Sequence, residues 1–130
     1  MRYLLPFLLL AASPAVAADQ FDLACKGYKW TKLGGAGEDY VFRVRVDLAA
    51  NKWCDNDCKS VQALVSATPD KLVLTDEGTL NSRMEVSREA TFDRKSNDFH
   101  YKLLQSRPTE DYLEYQGKCT SETFTPFPGK

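Results

Sequence analysis

Four cysteines (Cys25, Cys54, Cys58 and Cys119), the lone histidine His100 and the run Asp55-Asn56-Asp57 are the first side chains to weigh for chemistry. An even number of thiols in an oxidising compartment is read first as disulfides, because small domains gain most from cross-links. Zinc is the competing reading, but Cys-x3-Cys with two distant partners lacks the paired spacing of zinc ribbons. Four thiols allow three pairings. Cys25 with Cys119 and Cys54 with Cys58 is preferred: Cys25 shares its parity with Phe21 and Leu23, Cys119 with Leu113 and Tyr115, so both point inward from the first and last strands.

The remaining polar groups offer little for catalysis. His100 sits at the parity of Lys102, opposite that of Phe99 and Tyr101. A general base needs a nucleophile or an orienting carboxylate, and sequence spacing supplies neither, so an exposed strand histidine is the simpler reading. Asp55-Asn56-Asp57 suggests a calcium loop, yet an EF-hand starting there needs Gly and Glu where the chain has Ser60 and Ser66. A turn held by the Cys54 to Cys58 bond explains these residues better. No Gly-x-Ser-x-Gly, phosphate loop, His-Glu-x-x-His or dinucleotide fingerprint occurs. The adjacent carboxylates Glu38-Asp39, Asp76-Glu77 and Glu110-Asp111 fall in expected turns. No catalytic residue, metal site or cofactor is expected, and an enzyme would need His100, Arg88 and a carboxylate to converge in one cleft.

Two residues stand out as contacts for a ligand or partner. Arg88 has the parity of Met84, Val86, Ala90 and Phe92, which would aim its guanidinium inward, toward a carboxylate or a wet cavity. A bulge near Ser87 would instead turn it to solvent. Trp30 lies beside the turn-forming run Gly34-Gly35-Ala36-Gly37-Glu38-Asp39, where a rigid aromatic next to a flexible loop suits recognition. Trp53, Tyr40, Tyr112 and Tyr115 are read as core or cover, since small β domains rely on aromatics for buried area.

The elements that must position these residues are strands. Met84, Val86, Ala90 and Phe92 alternate with Glu85, Ser87, Glu89 and Thr91, and Phe99, Tyr101 and Leu103 continue the pattern beyond the turn Asp93-Arg94-Lys95-Ser96-Asn97-Asp98. Tyr40 to Leu48 is the clearest single strand. Phe21–Cys25, Lys52–Cys54, Ser60–Ala67, Leu72–Thr75 and Tyr112–Cys119 add shorter ones. Turns are expected at Ala49–Lys52, Thr68–Lys71 and Asp76–Gly78, with Arg107–Asp111 as a connection. The phenylalanines of the tail Phe124-Thr125-Pro126-Phe127-Pro128 are expected to lie over an open end of the sheet. The fold class is therefore all-β: an antiparallel meander of seven to eight strands, stapled by disulfides, forming a small barrel or a flattened sandwich.

Met1-Arg2, the apolar block Tyr3 to Ala12 and the small residues Ala15-Val16-Ala17-Ala18 have the layout of a cleaved secretory signal, too short for a membrane span. Residues 1–18 are read as that signal and 19–130 as one β domain. No cysteine stands at the new N-terminus, so no lipid anchor is expected. The full chain has 17 basic and 18 acidic side chains. Loss of Arg2 leaves 16 against 18, interspersed, which argues against a nucleic-acid binder, whose phosphate contacts need a basic face.

Cysteines near both ends, Val46-Asp47-Leu48 followed by Lys52-Trp53-Cys54 and Cys58, Thr68-Pro69-Asp70-Lys71-Leu72-Val73-Leu74, and the ending Cys119 to Phe127-Pro128 resemble small exported proteins of unknown function from Gram-negative bacteria. The resemblance implies a periplasmic location and no particular activity. Size and architecture are also similar to periplasmic inhibitors of lysozyme, although the Ser-Gly-x-x-Tyr motif of that group is absent. The expectation is a monomeric periplasmic binding protein without catalytic activity, taking a small molecule or an envelope protein. The alternative is an inhibitor or accessory protein of a cell-envelope enzyme such as lysozyme.

Overall fold

A computed structural model describes residues 19–129; the segment read as a secretory signal, residues 1–18, lies outside the described residues. Nine antiparallel strands form one curled sheet, a half-barrel without helices among the described residues. They are β1 (Gln20–Trp30), β2 (Glu38–Asp47), β3 (Lys52–Asp55), β4 (Gln62–Ala63), β5 (Ser66–Ala67), β6 (Lys71–Leu80), β7 (Glu85–Asp93), β8 (Asp98–Arg107) and β9 (Asp111–Glu122). Their spatial order is β4-β3-β2-β1-β9-β8-β7-β6-β5. The first and last strands thus pair in the middle, with Cys25 directly opposite Cys119. Both expected disulfides, Cys25–Cys119 and Cys54–Cys58, are present.

The two ends of this order are neighbours in sequence. Residues 62–67 pair with β3 on one side and with β6 on the other, so this short segment bridges the curl at one end only. Leu64 N–H donates to Asn51 O and Val65 N–H to Val73 O, extending the bridge on both flanks. The expected single strand Ser60–Ala67 is therefore two short strands separated by Leu64-Val65. It cannot run straight while serving two different neighbours.

Alternation decides which face is buried. Phe21, Leu23 and Cys25 of β1, Phe42, Val44 and Val46 of β2, Ala90 and Phe92 of β7, and Phe99 and Tyr101 of β8 line the concave face with Trp53, Leu72 and Leu74. The β7–β8 turn falls where the sequence places it: Asp93 Oδ1 accepts from Lys95 N–H and Ser96 N–H at 2.9 and 3.0 Å. Asn97 there takes φ 64°, a left-handed conformation that asparagine tolerates.

Further expectations are corrected. Glu38-Asp39 does not lie in a turn: it opens β2, opposite Lys29 and Tyr28 of β1. Asp76-Glu77-Gly78 is not a turn; these residues continue β6, opposite Glu89, Arg88 and Ser87 of β7. The chain reverses later, where Asn81 Oδ1 accepts from Arg83 N–H and Met84 N–H at 2.8 Å. Likewise, the C-terminal tail does not lie over an open end. Thr125 donates to Asp22 and Pro126 O accepts from Arg45, both side chains of the convex face of β1 and β2. The buried carboxylate offered by β1 holds the tail on that face.

Candidate functional site

The concave face has a covered end and an open one. At the open end, two strands bring Arg88 and Glu77 together through a bulge. The β6–β7 register runs Val73 to Thr91 and then Thr75 to Ala90, leaving Leu74 without a partner. Its carbonyl is taken by the indole N–H of Trp53 at 2.9 Å. The extra residue reverses the parity of β6, so Thr75 and Glu77 follow Leu74 onto the concave face. Arg88 Nη2 then donates to Glu77 Oε2 at 2.7 Å.

Arg88 thus has the inward direction that its parity indicates, at the mouth rather than in the core. Its side chain is 38% exposed. A pocket of about 240 Å³ surrounds the pair, lined by Glu77, Gly78, Thr79, Val86, Arg88 and Leu103. The bond to Glu77 holds the guanidinium pKa above its ordinary value. The guanidinium therefore stays cationic, half solvated and able to meet a further acceptor.

Below the mouth the interior is filled by rings. Tyr101 and Tyr115 stack with centroids 4.6 Å apart, and Phe42 meets Tyr115 edge-on at 4.8 Å and Phe99 at 5.3 Å. Tyr115 donates its hydroxyl to Asp55 Oδ2 at 2.9 Å. Burial, reinforced by the Asp55 carboxylate, pushes the Tyr115 phenol far above the usual range. Burial also raises Tyr101, against the opposing charge of Arg88. Asn56 Nδ2 donates to Tyr40 OH at 3.1 Å, and Lys29 Nζ lies 4.7 Å from the centre of the same ring. The Cys54–Cys58 loop thus clamps the aromatic column. The sequence showed Asp55 and Asn56 only as turn residues, because their partners lie far away in the chain.

Trp30 is on the other face. Its indole packs on Gly37, where a side-chain carbon would fall 2.9 Å from the ring, and Tyr28 lies 6.2 Å away. The tryptophan and the loop at 31–37 therefore secure each other, and the two predicted contact residues, Trp30 and Arg88, are not brought together. His100 also faces outward, with Nε2 3.1 Å from Glu114 Oε2. His100 and Arg88 occupy opposite faces and share no cleft.

A second polar cluster lies under the tail. Asp22 is fully buried on the convex face and accepts from Arg43 Nε at 2.8 Å, Thr125 N–H at 3.0 Å and Thr125 Oγ1 at 2.6 Å. Glu122 also accepts from Arg43. Burial alone would raise the Asp22 pKa, but the Thr125 and Arg43 donors together hold it below the ordinary value.

Among the described residues, no group of three or more His, Cys, Asp or Glu side chains is placed to hold a metal ion, and no helix is long and apolar enough to cross a membrane. No protein-family model, curated protein or solved structure matches the chain.

Proposed function

We propose that this is a non-catalytic binding protein of the bacterial cell envelope, periplasmic after loss of residues 1–18, whose open mouth engages another protein. The observation that carries this reading is the contrast between a filled interior and an open rim. The ring column of Phe42, Phe99, Tyr101 and Tyr115 occupies the space a small ligand would need, while Arg88 and Glu77 stand half solvated above it. Such a rim suits a side chain or backbone presented by a partner better than an enclosed small molecule. The resemblance to small exported Gram-negative proteins and the two disulfides support the location.

The test is native mass spectrometry of protein released gently from the periplasm, followed by cross-linking in the intact envelope. The expected result is a bare chain with two disulfides and a protein cross-linked at the mouth, lost in Arg88→Glu without loss of the fold. A small-molecule adduct released on denaturation would overturn the reading in favour of a carrier.

The second reading is an inhibitor or accessory protein of an envelope enzyme such as lysozyme. Leu33, at the tip of the β1–β2 loop, is 67% exposed and supports it as an apolar anchor. Deleting residues 32–36 should then abolish binding while leaving the sheet folded, and intact binding would remove the inhibitor reading.

A further inference from the structure

Among the described residues, the open end of the half-barrel leaves two strand edges unpaired. From Thr75 to Leu80, β6 pairs with β7 alone, because β5 reaches only Leu72 and Val73. From Glu38 to Phe42, β2 pairs with β1 alone, because β3 reaches only Val44 to Asp47. Each edge leaves alternate backbone N–H and C=O groups directed away from its one neighbour. Such an edge is a template for another strand.

Charge decides what kind of strand. Asp76 and Glu77 stand on the β6 edge, Glu38 and Asp39 on the β2 edge, and all four are exposed. Of these only Glu77 has an ion-pair partner among the described residues. Edge against edge, registers that set the carboxylates of one copy opposite those of another are unfavourable. A strand carrying Lys or Arg meets the reverse situation. Apolar contacts are available on the same stretch: Leu80 is 76% exposed, and Val86 and Leu103 line the pocket next to Thr79.

We propose that the distal edge of β6 takes an extended cationic segment of a partner protein by strand addition, alternate side chains of that segment meeting Asp76 and the Arg88–Glu77 pocket. This rests on the reading of the mouth as the binding site and specifies how it binds. Backbone pairing supplies a sequence-tolerant part of the affinity, and the acidic edge selects for basic segments.

The probe is a capped peptide of alternating lysine and valine, titrated into the whole mature protein while amide hydrogen exchange is followed. At about ten times its Kd, alternate amides of residues 75–80 should exchange about tenfold more slowly. A peptide of alternating glutamate and valine should leave them unchanged, and so should the lysine peptide methylated on its backbone nitrogens. Among the described residues Asp76 has no side-chain partner, so Asp76→Lys should keep the fold and weaken the lysine peptide several-fold. Equal effects of the methylated peptide, protection confined to other strands, no protection up to millimolar peptide, or self-association through these amides would each overturn the proposal. If the peptide fails while Arg88→Glu still releases the envelope partner, strand addition is wrong and the mouth remains the site. If Arg88→Glu releases nothing, the mouth reading itself fails.

Discussion

Replacing Asp22 by asparagine keeps the shape of the side chain and removes its charge, at a site where the fully buried carboxylate receives three donors. Two of those donors belong to Thr125 and one to Arg43. Hydrogen bonds to a charged group contribute about 1.5 to 3 kcal/mol each. Asparagine retains one acceptor oxygen but turns an amide N–H₂ toward one of the same donors. Arg43 is partly solvated, so its share is discounted. The expected loss is about 2 to 3 kcal/mol, or roughly 8 to 12 °C in Tm for a domain of this size. Thr125→Ala removes only the hydroxyl bond and should cost about 1 kcal/mol. The assay is thermal unfolding near neutral pH, paired with hydrogen exchange at the Thr125 amide to show whether the tail has left the sheet. The Asp22 pKa is depressed in the folded state, so its contribution is complete above the unfolded value of about 3.9 and is lost as pH falls through the lower folded value. Asp22→Asn should therefore flatten the acid limb of the stability profile. A Tm within about 2 °C of the wild type, with the Thr125 amide still protected, would refute the account of the tail as anchored by this carboxylate.

The two disulfides should differ in weight. Cys25–Cys119 closes a separation of 94 residues and its removal should cost about 4 to 5 kcal/mol on the chain-entropy model, against roughly 2 for Cys54–Cys58, as measured by denaturant unfolding of serine pairs. Gly27→Ala would place a methyl 1.9 Å from Gln116 O and 2.7 Å from the Gly117 Cα, which are backbone atoms that cannot yield, so a loss of about 2 to 4 kcal/mol is expected. Gly117→Ala meets the Phe42 ring edge at 3.0 Å instead and should cost less; the opposite ranking in equilibrium unfolding would contradict the close β1–β9 approach. Tyr115→Phe should cost about 1 to 3 kcal/mol by leaving the Asp55 carboxylate short of a donor. In the wild type the raised Tyr115 pKa gives stability that is present below about pH 10 and lost as pH rises beyond it, and an ultraviolet titration showing Tyr115 ionising normally in the folded protein would contradict its burial.

Where the chain alternates strictly, the fold was legible. The β2 strand, the β7–β8 hairpin and the inward pairing of Cys25 with Cys119 follow from period-two patterning and one strong turn. Where a bulge intervenes, legibility fails. Asp76-Glu77-Gly78 has the composition of a turn, and only the burial of Leu72, Leu74 and Thr75 together reveals that the strand has changed parity and continues. Parity left Arg88 open between an inward aim and a turn to solvent at a bulge, and its partner Glu77 was hidden by the bulge in β6. Asp22 was hidden for another reason: a carboxylate at an outward parity reads as solvated, and nothing in periodicity announces that residues a hundred positions later will cover it. Trp30 was read as a free contact because Gly37 looked like flexibility, whereas it provides room for the indole.

The open mouth follows from unequal strand lengths. The strands β1, β2 and β6 to β9 hold nine to twelve residues, whereas β3 has four and β4 and β5 two each. At about 3.3 Å per residue, ten residues span about 33 Å and four only about 13 Å, so the short strands can cover less than half of the trough. Trp53 joins the two halves of the arrangement: fully buried on the short strand β3, it donates to the carbonyl of Leu74 that the bulge in β6 sets free. The bulge turns Glu77 toward Arg88, and beyond it β7 is the one strand among the described residues that pairs with β6. The bulge that frees this carbonyl for the contact at the closed end of the curl thus also sets which side chains stand at the other.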